Sequence, residues 1–488
     1  MSIATQEQTV VDKVQKQLYI GGEWVDGGSG TLEVIDPATG EALCEVADAT
    51  PDDAMRALDA AVGMQADWAK VTPIERGEVL RKAFEKLVER SEELALLMTL
   101  EMGKPIAESR GEIAYAAEFF RWFSGEATRI HGQFNMSGNG VGRVLTMKQP
   151  VGPCLLITPW NFPMAMGTRK IGPAIAAGCT MVMKPASQTP LSMLALAQIL
   201  EESGLPGGVL NIVTSSSSGS TMEPLIRDPR LRKLSFTGST EVGRRLLEQA
   251  SEQILKVSME LGGNAPFLIF DDADLDAAVT GALLAKMRNI GEACTSANRF
   301  HVAESVAEQF AKQLGDQMGA LKIGRGTEED VKVGPLINQD AVDKVEELVE
   351  DARGKGATVV TGGNPLDGGG YFYQPTVLGD VPANARVLSE EIFGPVAPVT
   401  SFESEADAIE AANKTEYGLV AYVFTSNFKR AIRVIEGLDT GMVGLNQGMV
   451  SNAAAPFGGV KASGIGREGG FEGIEEYLET KYVAVNMD

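Results

Sequence analysis

Cys294 lies in the stretch Arg288-Asn289-Ile290-Gly291-Glu292-Ala293-Cys294-Thr295-Ser296, and Glu260 precedes it by 34 residues within Met259-Glu260-Leu261-Gly262-Gly263. A thiolate attacks a carbonyl carbon, and a carboxylate activates the water that later releases the acyl group. The two side chains are therefore suited to covalent catalysis at a carbonyl. The competing reading is a buried structural cysteine beside an ordinary surface glutamate. The choice rests on what surrounds them.

Thr158-Pro159-Trp160-Asn161-Phe162-Pro163 follows an apolar run. Two prolines stiffen the backbone around Asn161 and place its amide at the carboxyl edge of a sheet. A fixed N–H donor there suits the oxyanion formed when a carbonyl is attacked. Lys184-Pro185-Ala186-Ser187 likewise ends an apolar run with a cation, suited to ribose hydroxyls or phosphate. In Phe236-Thr237-Gly238-Ser239-Thr240-Glu241-Val242-Gly243 a strand gives way to a helix, whose free N–H groups and positive dipole end favour an anion; the same residues also read as an ordinary N-cap. Glu390-Glu391-Ile392-Phe393-Gly394-Pro395 sets carboxylates and an aromatic ring in a loop bounded by Gly and Pro. The GxGxxG match, Gly464 to Gly469, follows no strand and reads as a turn-rich structural segment.

The elements that must position these residues are legible as alternating patterns. Apolar runs at 151–158, 180–184, 209–214, 233–236 and 255–260 alternate with helical periodicity at 165–178, 190–203, 221–226 and 240–251. This predicts an α/β fold with a parallel sheet whose ligands bind at the strands' carboxyl ends. A second series starts at Pro266-Phe267-Leu268-Ile269-Phe270 and continues through helical 275–288, a strand at 299–302, helical 304–321 and 341–353, and a strand at 357–361. Two lobes with a cleft between them follow, divided near Gly262-Gly263. The N-terminal part, Tyr19 to Val46, reads as hairpins followed by two helices, and the Gly-rich stretch from Arg129 to Met147 as a short β arm.

Composition bounds the partners. The chain has 488 residues, 44% hydrophobic and 22% charged, as expected of a globular protein with two or three domains. A net charge of −23 disfavours nucleic acid and anionic membranes and requires local cations for any anionic ligand. No run approaches the ~20 apolar residues of a membrane span, and the polar segment Met1 to Gln17 lacks the pattern of a secretory signal. The four cysteines (Cys44, Cys154, Cys179, Cys294) have no paired spacing, which suits reduced thiols in a cytoplasm. With two histidines far apart, no metal site is expected, and Ser-His-Asp hydrolysis is disfavoured.

From Tyr19-Ile20-Gly21-Gly22-Glu23-Trp24 to Pro456-Phe457-Gly458-Gly459-Val460-Lys461-Ala462-Ser463-Gly464 the chain resembles the aldehyde dehydrogenase superfamily, with the motifs above in that family's order. The resemblance implies two Rossmann-like parallel-sheet lobes with a small β arm used in homodimers or homotetramers. It implies an NAD(P)-binding domain over 1–128 and 148–262, a catalytic domain over 263–455, and an oligomerisation arm over 129–147 and 470–488. Cys294 is then the nucleophile and Glu260 the deacylating base. Asn161 and the Cys294 backbone N–H form the oxyanion hole. Lys184 meets the adenosine ribose, Gly238 and Ser239 the pyrophosphate, and Glu391 the nicotinamide ribose beside Phe393. Thr158, Trp160 and Leu261 also belong to the cofactor site. The thiolate adds to an aldehyde, hydride passes to the nicotinamide, and water hydrolyses the thioester.

Within the superfamily, Ala186-Ser187-Gln188-Thr189-Pro190, Arg288-Asn289 and Glu260-Leu261-Gly262-Gly263-Asn264-Ala265-Pro266-Phe267 are similar to succinate-semialdehyde dehydrogenases. That group holds the substrate's distal carboxylate with two arginines and a serine, matched here by Arg169, Arg288 and Ser451. Paired guanidinium groups suit a carboxylate and answer the need for local cations in an acidic chain. The sequence departs from the group in carrying Ser296 where many members have a second Cys, Glu292-Ala293 in place of Gln-Thr, and Asn452-Ala453-Ala454-Ala455 in the substrate loop. A carboxylate at Glu292, so close to the thiol, raises the thiol pKa or repels an anionic substrate unless it turns outward. Ser187, lacking the carboxylate that would repel a 2′-phosphate, favours NADP, with NAD still open. Glutarate semialdehyde, or broad and aromatic aldehydes, remain alternatives. Cofactor-independent thioester hydrolysis is more remote, as is a non-enzymatic binding role.

Overall fold

The computed structural model describes residues 3–487 and is built on two large sheets joined at a glycine pair. The first has eight strands, with a parallel centre formed by Lys256–Glu260, Lys233–Thr237, Cys154–Ile157, Met181–Lys184 and Leu210–Ile212. Its edges are antiparallel, the N-terminal hairpin Leu18–Ile20/Glu23–Val25 on one side and Gly464–Ile465 on the other. The second has seven strands: Thr358–Thr361, Thr376–Gly379, Val396–Phe402, Ala297–Ala303, Ala265–Ile269, Val420–Phe424 and Met442–Leu445, all parallel except the first pairing.

The parallel strands are nearly continuous apolar runs because helices cover both faces. Phe267, for example, is fully buried and stacks on Phe424 with centroids 5.0 Å apart. The chain leaves the first sheet after Glu260 and enters the second at Ala265, so Leu261-Gly262-Gly263-Asn264 is the crossing. A third sheet of three antiparallel strands, Gln133–Met136, Arg143–Pro150 and Leu478–Val485, projects its exposed Phe134, Met136 and Tyr482 into solvent.

Three local expectations are corrected. The region after the hairpins holds four helices, not two: Pro51–Trp68, Pro73–Glu89, Ser91–Met102 and Ile106–Glu126. Thr50-Pro51 and Thr72-Pro73 each restart a helix, the threonine hydroxyl accepting the N–H three residues on and the proline taking the first helical position. The expected short helix at 221–226 runs from Ser218 to Arg227. A further helix, Ile3–Asp12, packs Val10 and Val11 into the core, where the polar composition gave no warning. Among the described residues no helix is long and apolar enough to cross a membrane, and no cluster of His, Cys, Asp or Glu could hold a metal ion.

Candidate active site

Three neighbouring strands of the first sheet end side by side, Thr237 in register with Glu260 and Phe236 with Ile157. Their carboxyl ends open on a cavity of about 350 Å³. The first sheet contributes Trp160 and Asn161, then Gly238 and Ser239, then Leu261 and Gly262. From the second lobe come Cys294, Glu391 and Phe393, together with the 337–344 segment. The sheet-edge geometry thus gathers residues more than 230 positions apart in the chain.

The loop that bears Cys294 is held in an uncommon conformation. After helix Leu275–Met287, Asn289, Ile290 and Gly291 take φ values of 52°, 60° and 81°. Two non-glycine residues in the left-handed region cost on the order of 1–3 kcal/mol each, so the surroundings must fix them. Asn289 Nδ2 donates to the carbonyls of Asn161 (3.0 Å) and Glu292 (2.9 Å). Asn161 Nδ2 also donates to the Glu292 carbonyl at 2.9 Å, and its Oδ1 accepts the Phe162 N–H. One N–H of the Asn161 amide therefore anchors the loop that bears Cys294, leaving the second for a ligand.

Glu260 is buried, and neither carboxylate oxygen has a protein partner. Burial, with Glu468 nearby, pushes its carboxyl well above the usual range, against Arg169, Lys170 and Arg467. Burial likewise pushes the Cys294 thiol up to about 12; Arg169 and Arg288 pull it down, and Glu391 and Glu260 push it up. Glu292 turns inward. It is fully buried, its Oε1 accepts the Ile337 N–H at 3.1 Å, and burial raises its pKa well above the carboxylate range. The expected outward turn is corrected: packing draws the side chain inward to the Ile337 N–H, and burial there favours the neutral form of the carboxyl.

The cavity wall suits a dinucleotide. Ser239 caps helix Thr240–Ser251. A Cβ on Gly238 would lie 2.4 Å from the Phe236 ring, and one on Gly243 2.4 Å from Leu261, so the backbone runs bare at the helix start. Thr237 Oγ1 is buried there without a partner. Across the cavity Trp160 and Phe393 meet edge to face at 5.5 Å. Burial holds Glu391 up to about 7 against the Gly263 N–H, Lys344 and Lys286. Thr158, Lys184 and Ser187 do not line this cavity. Thr158 N–H donates to the Lys184 carbonyl at the adjacent strand end, and burial brings the Lys184 amine down to about 8.

Residues 24–483 match the family model described as "Aldehyde dehydrogenase family". A succinate-semialdehyde dehydrogenase of Paenarthrobacter nicotinovorans is 59% identical over 443 residues, 91% of this chain and 98% of that protein. A glutarate-semialdehyde dehydrogenase of Pseudomonas aeruginosa (PAO1) is 51% identical, covering 96% of this chain and 98% of its own. The crystal structure of an E. coli NADP-dependent enzyme superposes with a TM-score of 0.96 at 52% identity, covering 97% of this chain and 98% of that one. The chain belongs to the aldehyde dehydrogenase family.

This aldehyde dehydrogenase has a second cavity, of about 550 Å³, beside Phe162 and lined also by Glu108, Tyr115, Arg288, Met449 and Ser451. Arg288 Nη1 donates to Ser451 Oγ at 2.9 Å, and the guanidinium lies 5.0 Å from the Phe162 ring centroid. Arg169 differs from the expectation of a free carboxylate ligand. It is buried, its Nε pairs with Glu468, and its guanidinium lies 4.2 Å from the Phe457 ring centroid. Its Nη1 has no partner. A cation buried this deeply needs a counter-ion, and the C-terminal segment supplies one.

Glu468 was missed by sequence reasoning. It lies inside the GxGxxG match, where Gly464 pairs with Glu260 at the sheet edge as a structural turn, and it binds both Arg169 and Lys170. Burial opposes its ionisation, but Arg169 and Lys170 outweigh burial and hold its carboxyl below the usual range. Tyr115, on helix Ile106–Glu126, and the 337–344 wall carried no local signal.

Proposed function

We propose that this aldehyde dehydrogenase oxidises succinate semialdehyde to succinate with NADP+, through a thioester on Cys294. The observation that carries the substrate assignment is the pair Arg288–Ser451 (2.9 Å), with Arg169 and Arg288 both near enough for their charge to act on the Cys294 thiol. In a protein of net charge −23 that local positive field suits an anionic substrate. The names of the similar proteins, succinate- and glutarate-semialdehyde dehydrogenases, support the same chemistry.

The roles follow from position. Cys294 Sγ attacks the aldehyde carbon once its proton has passed to solvent, helped by the fields of the two arginines. The nascent oxyanion takes the free N–H of Asn161 and the Cys294 backbone N–H. NADP+, when bound, supplies a hydride acceptor. Glu260 takes a proton from water, hydroxide adds to the thioester carbonyl, and the C–S bond breaks to release the carboxylic acid as Glu260 returns its proton to the sulfur. Gly238, Ser239, Leu261, Trp160, Phe393 and Glu391 would hold the phosphate-to-nicotinamide part of the cofactor. Thr158, Lys184 and Ser187 would serve its adenosine end, where the absence of a carboxylate at Ser187 favours the 2′-phosphate. Residues 1–128 with 148–262 are the cofactor domain, 263–455 the catalytic domain, and 129–147 with 470–488 the arm that pairs subunits. The protein acts as a cytoplasmic homodimer or homotetramer.

The test compares succinate semialdehyde, glutarate semialdehyde and butanal with NADP+ and NAD+, in the parent and in Arg288→Ala. A kcat/KM for succinate semialdehyde at least tenfold above butanal, lost in the variant, is expected. Equal rates on acid and neutral aldehydes would remove the carboxylate reading.

A further inference from the structure

Two buried polar atoms beside the Arg288–Ser451 pair make no hydrogen bond of good geometry within the protein. Tyr115 Oη and Arg169 Nη1 are both withdrawn from solvent and lack a hydrogen-bond partner. Such orphans are rare in folded proteins and mark a strained site or an absent occupant. The Tyr115 hydroxyl lies beside Arg169 and Ser451, and the Arg288 guanidinium sits 5.9 Å from its ring centroid. The ring is fixed from behind by Phe119, edge to face at 4.8 Å. Tyr115 also lines the cavity that contains Arg288 and Ser451.

A phenol flanked by two guanidiniums cannot donate to them, because both are donors without acceptor capacity. The Ser451 hydroxyl beside it already takes the Arg288 N–H and forms no well-aligned hydrogen bond with the phenol, so the Tyr115 proton and Arg169 Nη1 are both open to an acceptor. A carboxylate, with two oxygens and about four lone-pair directions, satisfies both while also receiving Arg288.

We propose that Tyr115 is a specificity-determining residue whose hydroxyl donates to the distal carboxylate of the substrate, completing a four-donor site with Arg169, Arg288 and Ser451. The inference rests on the carboxylate reading above and adds a neutral donor to it. A neutral donor favours an anion without adding a third cation, and its rigid ring fixes the depth at which the carboxylate stops. That depth separates acids differing by one methylene.

Tyr115→Phe keeps the ring and its packing and deletes only the hydroxyl. The quantity to measure is the ratio of kcat/KM for succinate semialdehyde to that for butanal, alongside the inhibition constant of succinate, with Arg288→Ala as the reference. The expected result is a fall of about tenfold in the ratio and a matching rise in the succinate constant, the loss of one charge-assisted hydrogen bond. The change should lie in KM and leave kcat nearly unaltered. If Arg288→Ala lowers the ratio and Tyr115→Phe does not, the tyrosine proposal is overturned and the carboxylate reading stands. If neither variant moves the ratio, both fall. If Tyr115→Phe slows the two aldehydes equally, the residue is structural, and the proposal is again overturned.

Discussion

The backbone N–H of Gly263 donates to Glu391 Oε1 at 3.0 Å, tying the crossing between the two sheets to the loop that brings Phe393 into the cavity. The same glycine lies against Cys294: a Cβ placed on it would stand 2.6 Å from the Cys294 carbonyl oxygen. Glu260, Cys294 and the cavity wall therefore share one bare stretch of backbone.

Gly263→Ala should displace the Cys294 loop, because the obstructing atom is backbone and cannot swing aside. The expected cost is about 1–3 kcal/mol of stability and a loss of about 100-fold or more in kcat from a misplaced nucleophile. Thermal unfolding and steady-state rates measure the two effects. An alanine variant of parental activity would contradict the geometry.

The Cys294 thiol, pushed up to about 12 by burial, should react sluggishly with iodoacetamide in the protein free of ligands. Only the thiolate reacts. The alkylation rate should rise close to tenfold per pH unit across the neutral and mildly alkaline range, with no plateau below pH 10. A plateau near pH 8 would mean that the arginine fields outweigh desolvation.

Glu292 provides a pH test of stability. Its folded-state carboxyl is raised by burial, so the folded protein binds the proton more tightly than the unfolded chain. That contribution is fully present below the unfolded pKa of about 4.3 and is lost as pH climbs towards the folded value. Glu292→Gln keeps the shape and removes the proton. Its stability relative to the parent should rise steadily between pH 5 and 8 in urea unfolding, and a pH-independent difference would contradict a buried neutral acid.

Glu468 and Arg169 form a buried ion pair, with Lys170 on the other carboxylate oxygen. Removing one partner strands the other charge. Glu468→Ala should cost about 3–5 kcal/mol in chemical unfolding. It should also lower kcat, since Glu260 feels both Glu468 and Arg169. A variant as stable as the parent would show the pair to be dispensable.

Ser187→Glu should turn the protein towards NAD. A carboxylate at this half-buried position would repel a 2′-phosphate and accept ribose hydroxyls instead. At an effective dielectric near 20 the repulsion corresponds to about 10–100-fold weaker NADP+ binding, read as the KM ratio of the two cofactors. An unchanged ratio would place the 2′-phosphate away from Ser187.

The family and the layered fold were legible in the sequence. Thiol, carboxylate and amide each sit in a short run with a local reason to be rigid, namely the prolines flanking Asn161 and the glycines after Glu260. The parallel strands are apolar along their whole length because both faces are covered, a pattern visible without coordinates. Which partners those groups meet depends on how distant elements pack together. That Glu292 turns inward to the Ile337 N–H, that Arg169 is claimed by Glu468 from a segment 299 residues later, and that Tyr115 faces Arg288 and Ser451 are outcomes of packing between distant elements. No periodicity or spacing encodes them. Burial then shifts the pKa of each group according to neighbours that lie far away along the chain, which is why the electrostatics could be read only after folding.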